Sequence, residues 1–285
     1  MYENYSKQPR RVQCGGVRRL LRKYLLRESM SDGEYGEVDM IFDAHMHLDD
    51  IPVLGWKMTA ELCLERMDEA GIDRAIVMTI TDWPEVNVNA LELVANACST
   101  YPGRLYGFAR IHPWYGDEAE AALERAFTTY GYKGLKLHPV STIAHPSGED
   151  TLRLIRKAAE HHAPTLFHCG DEPLTTPLAI AEAAKRCPEA TIILGHMGGY
   201  FHVDEAIKVA ERYANVVLET SAMPYPSKIR EAVERIGPER VLYASDGPMC
   251  SPRIEVQKIR TANLHPDAER LVLGANITRL VEAVS

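Results

Sequence analysis

The sequence predicts a (β/α)8 barrel with a short N-terminal extension. Three observations lead there. From residue 40 onward, short apolar runs alternate with helix-period segments, eight times in about 245 residues, a length that suits such a barrel. Strands separated by helices pair in parallel, because a parallel connection needs a crossover. Histidines also gather where strands end: of eleven, only His161, His162 and His265 fall outside strand ends or the loops after them. The competing architecture is an open doubly wound sheet. No Gly-x-Gly-x-x-Gly follows any strand, so its dinucleotide-binding version has no support.

The first strand is predicted over 40–48, where an apolar run is closed by Asp49-Asp50. Strict alternation would put Asp43, His45 and His47 on one face. An amphipathic helix follows at 59–70 and stops at Gly71. The next strand is 74–80, with a helix at about 87–99 before Pro102-Gly103. The third strand is 105–111, and its helix runs from Asp117 to about Tyr130. The fourth is 134–138, stopped by Pro139, with a helix at 149–161. The second half repeats this rhythm, with strands at 164–169, 191–196, 216–220 and 240–246. Their helices lie at about 176–187, 203–214 and 226–236, and two or three closing helices fill 252–285.

Composition narrows the function. At 285 residues and 46% hydrophobic the chain suits one large domain or two small ones, and the eight strand–helix units assign 40–285 to a single barrel domain. A net charge of −8 argues against general nucleic-acid binding. No apolar run is long enough for an integral membrane segment. The six cysteines form no Cys-x-x-Cys pair, which suggests reduced thiols and a cytoplasmic setting. Residues 1–39 differ. Positions 1–27 carry eight Lys/Arg against Glu3, with Leu20, Leu21, Leu25 and Leu26 at helical spacing. That reads as a basic amphipathic helix, or as upstream sequence before a start at Met30 or Met40. The acidic, Gly-containing stretch 31–37 reads as a linker.

The active site of such a barrel lies at the carboxyl ends of its strands. His45 and His47 end the first strand, His138 the fourth, His168 the fifth, His196 the sixth and Asp246 the eighth. Imidazole and carboxylate donors together suit a divalent transition metal. His45, His47, His168 and Asp246 would supply four ligands to one ion. Zinc is the expected metal, with manganese, iron and cobalt as alternatives. Such an ion lowers the pKa of its water from about 15.7 to about 7. Asp246 would accept the proton, and His196 would orient the nucleophile or stabilise the developing charge.

The motifs resemble the amidohydrolase superfamily, in the amidohydrolase-2 branch that includes aminocarboxymuconate-semialdehyde decarboxylase-like enzymes. The match covers about 40–285. It rests on Asp43-Ala44-His45-Met46-His47, Gly134-Leu135-Lys136-Leu137-His138-Pro139, Leu166-Phe167-His168, Leu194-Gly195-His196-Met197-Gly198-Gly199 and Ala244-Ser245-Asp246-Gly247-Pro248. The closing Gly274-Ala275-Asn276-Ile277-Thr278-Arg279-Leu280 is also similar. The resemblance implies that His45, His47, His168 and Asp246 bind metal and that His196 is a second catalytic histidine.

Other residues are open. Lys136 is a carbamylated bridge to a second metal, a free ammonium for a substrate carboxylate, or an ion-pair partner of Asp43. His138 and Arg110 are candidates to touch substrate, Arg110 if it faces inward. Trp56, Trp83, Tyr200, Phe201 and Tyr225 lie in post-strand loops and are candidates to wall a pocket. Cys169 is expected to face the helix layer, and Asp171 and Glu172 to be a solvated helix start.

The leading expectation is a metal-dependent hydrolase acting on a C–O or C–N bond of a small, anionic substrate. The alternative is a nonoxidative decarboxylase of a carboxylated aromatic or unsaturated acid. A third reading is a non-catalytic metal- or ligand-binding barrel. A homodimer is compatible with the sequence, which does not fix the oligomer.

Overall fold

A computed structural model describes residues 40–51, 55–85 and 87–285. The basic segment at 1–27 and the linker at 31–37 lie outside these residues. Eight strands form one parallel sheet: β1 (Phe42–His47), β4 (Arg74–Met78), β5 (Leu105–Arg110), β6 (Gly134–Leu137), β7 (Thr165–Phe167), β8 (Ile192–Leu194), β9 (Val216–Glu219) and β10 (Val241–Leu242). Between β1 and β4 stands a short antiparallel hairpin, β2 (Asp49–Ile51) with β3 (Trp56–Met58). The sheet closes on itself between β10 and β1. There the Ala44 N–H donates to the Tyr243 carbonyl (3.1 Å), the Asp246 N–H to His45 (2.8 Å) and the His47 N–H to Gly247 (2.6 Å). The expected (β/α)8 barrel is therefore present.

Strand alternation divides the apolar residues into two layers. Phe42, Phe108, Leu166, Ile193, Val217 and Leu242 fill the barrel interior. Ile277 and Val281, from the closing helix Asn276–Glu282, join them. The other set, including Leu135, Phe167, Leu194 and Tyr243, packs outward against Leu123, Ile155, Ile180, Ile207 and Ile259 of the surrounding helices. Each fully buried side chain of this size contributes about 1.5–3 kcal/mol.

Local signals place most helices where the sequence puts them. Thr59 caps the helix Ala60–Ala70 by accepting from the Leu62 N–H (3.2 Å), and Gly71 ends it at φ 74°. Thr176 caps Pro177–Arg186 in the same way. The last strand is shorter than expected, with two residues in the ladder. Residues 243–246 instead continue as extended chain held by the seam to β1. The hairpin and a four-residue helix at Pro139–Thr142 were not foreseen. Among the described residues no helix is long and apolar enough to cross a membrane.

Candidate metal centre

The centre begins with an irregularity in β1. Its pairing with β4 shifts register between Asp43 and Met46. Phe42 and Ala44 belong to the interior core, while Met46 belongs to the outer layer. Asp43 therefore does not share a face with His45 and His47, and strict alternation is corrected here by the bulge. The Asp43 carboxyl accepts from the backbone N–H groups of His45 (3.0 Å) and Ser245 (2.9 Å), tying β1 to the segment that carries Asp246. Complete burial pushes its pKa up to about 8. Among the described residues no ion pair joins it to Lys136, so that expectation also fails.

The bulge delivers both β1 histidines to Asp246. His47 Nε2 lies 3.0 Å from Asp246 Oδ1, and His45 Nε2 lies 3.6 Å from the same oxygen. One donor atom each from His45, His196 and Asp246 fall within 4.8 Å of one another. His196 reaches this group by an unusual backbone. Counting outward from inward-facing Ile193, alternation would turn it toward the helices; φ 56° instead turns it into the site. Its Nδ1 lies 2.8 Å from Ser221 Oγ, and its Nε2 lies 3.1 Å from His168 Nδ1.

His168 stands one step outside this tightest group. It meets His196 through Nδ1, and its Nε2 lies 3.5 Å from Glu172. His138 stacks flat on it, with ring centroids 4.0 Å apart and planes at 7°. The sequence grouped His168 with the first three donors and kept His196 apart. In the structure His196 is the more central imidazole.

Glu219, at the end of β9, was missed by the sequence reading. It is wholly buried. Oε2 lies 3.5 Å from His45 Nδ1 and accepts from the His196 N–H (2.9 Å), while Oε1 accepts from the Ser221 N–H (2.7 Å). A carboxylate facing Nδ1 fixes the His45 tautomer, with a proton on Nδ1 and a lone pair on Nε2. A signal was available: an acid closing the apolar run Val216-Val217-Leu218 at a barrel strand's carboxyl end.

Electrostatics suit this arrangement. Burial, helped by Lys136, pushes His45 down to about 3, so its ring is neutral at pH 7. Burial together with His196 and His138 pushes His168 far below the usual range. Burial opposes charge on Glu219, but its hydrogen bonds with His45 and Ser221 outweigh it and hold the carboxyl at about 2. Asp246 follows the same pattern: burial opposes its charge, but the His47 hydrogen bond more than offsets this, leaving it well below the normal value.

The remaining candidates divide. Lys136 is buried, and its Nζ lies 3.1 Å from His45 Nε2. Burial and nearby Arg110 push it down to about 7. Arg110 does turn inward, on the face shared with Phe108, but its guanidinium is engaged. Nε and Nη2 hold the two oxygens of Asp82 (2.8 and 3.2 Å), and Nη2 also donates to Ser141 Oγ (3.0 Å). Trp56 sits on the β2–β3 hairpin, half-exposed, and does not join the cluster. Cys169 is fully buried in the outer layer, as expected.

Imidazoles and a carboxylate converging in one buried place fit a divalent cation. His47 Nδ1 is also buried without a hydrogen-bond partner, an unmet requirement beside the same cluster.

Residues 42–282 match the family model described as amidohydrolase. No curated protein matches the chain. Among solved structures, it is similar to 5-carboxyvanillate decarboxylase from Sphingomonas paucimobilis, at 17% identity and TM-score 0.69, covering 86% of this chain and 99% of that one. An uncharacterised TIM-barrel protein from Bordetella bronchiseptica gives 20% identity and TM-score 0.71, with coverage of 86% and 99%. A dihydroxybenzoic acid decarboxylase from Polaromonas sp. JS666, with bound manganese and 2-nitroresorcinol, gives 16% and 0.68, with coverage of 85% and 97%. At these identities the likeness bears on the fold.

Proposed function

The chain belongs to the amidohydrolase family of enzymes, and from that premise we propose that it is a metal-dependent, nonoxidative decarboxylase of a carboxylated aromatic acid. The observation that carries this reading is Lys136. It is a buried amine beside the His/Asp cluster, and among the described residues it has no carboxylate within ion-pair distance. An anionic substrate group would complete it. The solved neighbours named as decarboxylases supply the reaction type. Hydrolysis, the leading expectation from sequence, stands second to this alternative.

His45, His47 and Asp246 would hold the ion, with His196 and His168 completing the set. A divalent metal there supplies Lewis acidity toward a substrate oxygen. The donor set suits manganese, present in the Polaromonas neighbour, as well as zinc. Lys136 orients the substrate carboxylate, and Glu219 keeps His45 in its required tautomer. The bond between the ring carbon and the carboxylate breaks, the electron pair stays on carbon and carbon dioxide leaves. A proton from water takes its place on that carbon, relayed by the Asp246 carboxylate, whose side chain keeps 26% exposure.

Carbon dioxide release from hydroxylated, carboxylated arenes, run beside a pH-stat assay on lactones and amides, tests the reading. Release is expected from the arenes and no acid from the lactones; the reverse sinks it. Asp246→Asn should slow release by on the order of a hundredfold or more while protein still folds.

A further inference from the structure

The mouth of the barrel has an uneven surface. Among the described residues, most of the exposed large apolar side chains lie in the segments that follow barrel strands, on the face that carries the candidate metal centre. They include Trp114, Ile143, Tyr225 and Met249, and the most exposed is Phe201, at 84%. Two others, Leu178 and Ile254, lie in the first turns of the helices Pro177–Arg186 and Pro252–Thr261. A polar floor ringed by apolar side chains suits a ligand with one charged end and an apolar body.

Phe201 and its neighbour Tyr200 are held in place by a specific device. Asp171, three residues after His168, accepts from both of their backbone N–H groups, at 3.1 Å from Tyr200 and 2.9 Å from Phe201. The preceding Gly198 and Gly199 have φ 85° and 75°, which favour glycine. A Cβ on Gly199 would stand 2.9 Å from Asp171 Oδ2, so only glycine lets the carboxylate approach. The clamp joins the loop after β7 to the loop after β8. Those are the loops whose histidines, His168 and His196, meet at 3.1 Å on the floor. The backbone that carries the aromatic pair is thus tied to the loops of His168 and His196 before a ligand arrives. The sequence reading of Asp171 as a solvated helix start missed this.

We infer that Tyr200 and Phe201 form the specificity-determining wall of this site, and that it takes the second ring of a fused or extended aromatic acid. Asp171 is the positioning residue of that wall. The inference rests on the decarboxylase reading for the end of the ligand that reacts. The aromatic faces contact the non-reacting ring, while the carboxylate lies toward Lys136 and the histidines.

The test is calorimetric binding of 1-hydroxy-2-naphthoate and of salicylate to the manganese-loaded protein. The wild type should prefer the naphthoate by about tenfold, the scale of an aromatic contact. Phe201→Ala should bring the ratio of the two affinities close to one. Asp171→Asn, which loses one of two acceptors, should lower the ratio in part. A general loss of structure would weaken both ligands together and leave the ratio unmoved. Equal affinities in the wild type, an unchanged ratio in Phe201→Ala, or no binding of either acid overturns the inference. Preference for the naphthoate without carbon dioxide release from either acid supports the wall and removes the decarboxylase reading instead.

Discussion

Glu219 acts on three neighbours at once. It faces His45 Nδ1, and it accepts from the backbone N–H groups of His196 and Ser221. Replacing it by Gln keeps the shape but removes the charge, and one amide end cannot accept. Glu219→Gln should therefore weaken metal binding about 10- to 100-fold, read by competition with a chelator. An unchanged affinity would show that His45 needs no carboxylate behind it. Asp82 offers a test by pH. Burial opposes its charge, but Arg110 more than compensates, so its folded pKa lies below the reference value of 3.8. A depressed carboxyl stabilises the fold above its unfolded pKa, and this is lost as pH falls through the folded value. Asp82→Asn should cost about 3 kcal/mol at pH 7, because Arg110 is left buried and unpaired. The gap from wild type in urea melts should narrow as pH drops below about 4. A gap constant from pH 7 to pH 3 would contradict the assignment.

At the scale of elements, the candidate metal centre depends on how β1 is anchored. Gly274, in the turn of helix before Asn276–Glu282, approaches the start of this strand closely. A Cβ there would stand 2.5 Å from the Met40 carbonyl oxygen. The conflict is with backbone, which cannot swing aside. Gly274→Ala should lower stability by about 1–3 kcal/mol, measured by thermal melting. A melting point equal to wild type would mean that the closing helix tolerates displacement. The irregularity in β1 has the same importance for function. Without the extra residue between Asp43 and Met46, inward Phe42 and inward His45 could not occur on one strand.

For the whole molecule, folding is expected to be separable from metal binding. The interior core and the strand–helix layer are apolar and run through all eight strands, so neither needs an ion to close. Chelation of the metal-loaded enzyme should abolish turnover and leave the far-ultraviolet circular dichroism unchanged. Stability should fall only by the binding energy lost, about 4 kcal/mol for a site at a thousandfold saturation, read as a modest drop in melting temperature. Manganese should restore activity. Unfolding on chelation would show that the cluster is structural.

The sequence by itself determined the architecture and the chemical character of the centre. Period-two and helical patterns are local, and eight repeats leave little choice of topology. Histidines at strand ends are confined to one face as soon as the barrel closes, so His45, His47, His196 and Asp246 were legible without coordinates. Only the tertiary structure decided how those groups are aimed. The bulge that turns Asp43 away, the positive φ that brings His196 in, the Glu219 carboxylate behind His45 and the Asp82 grip on Arg110 all depend on partners tens of residues distant. Such contacts leave no periodic trace, because hydrogen bonds across a closed barrel are set by register and not by spacing along the chain.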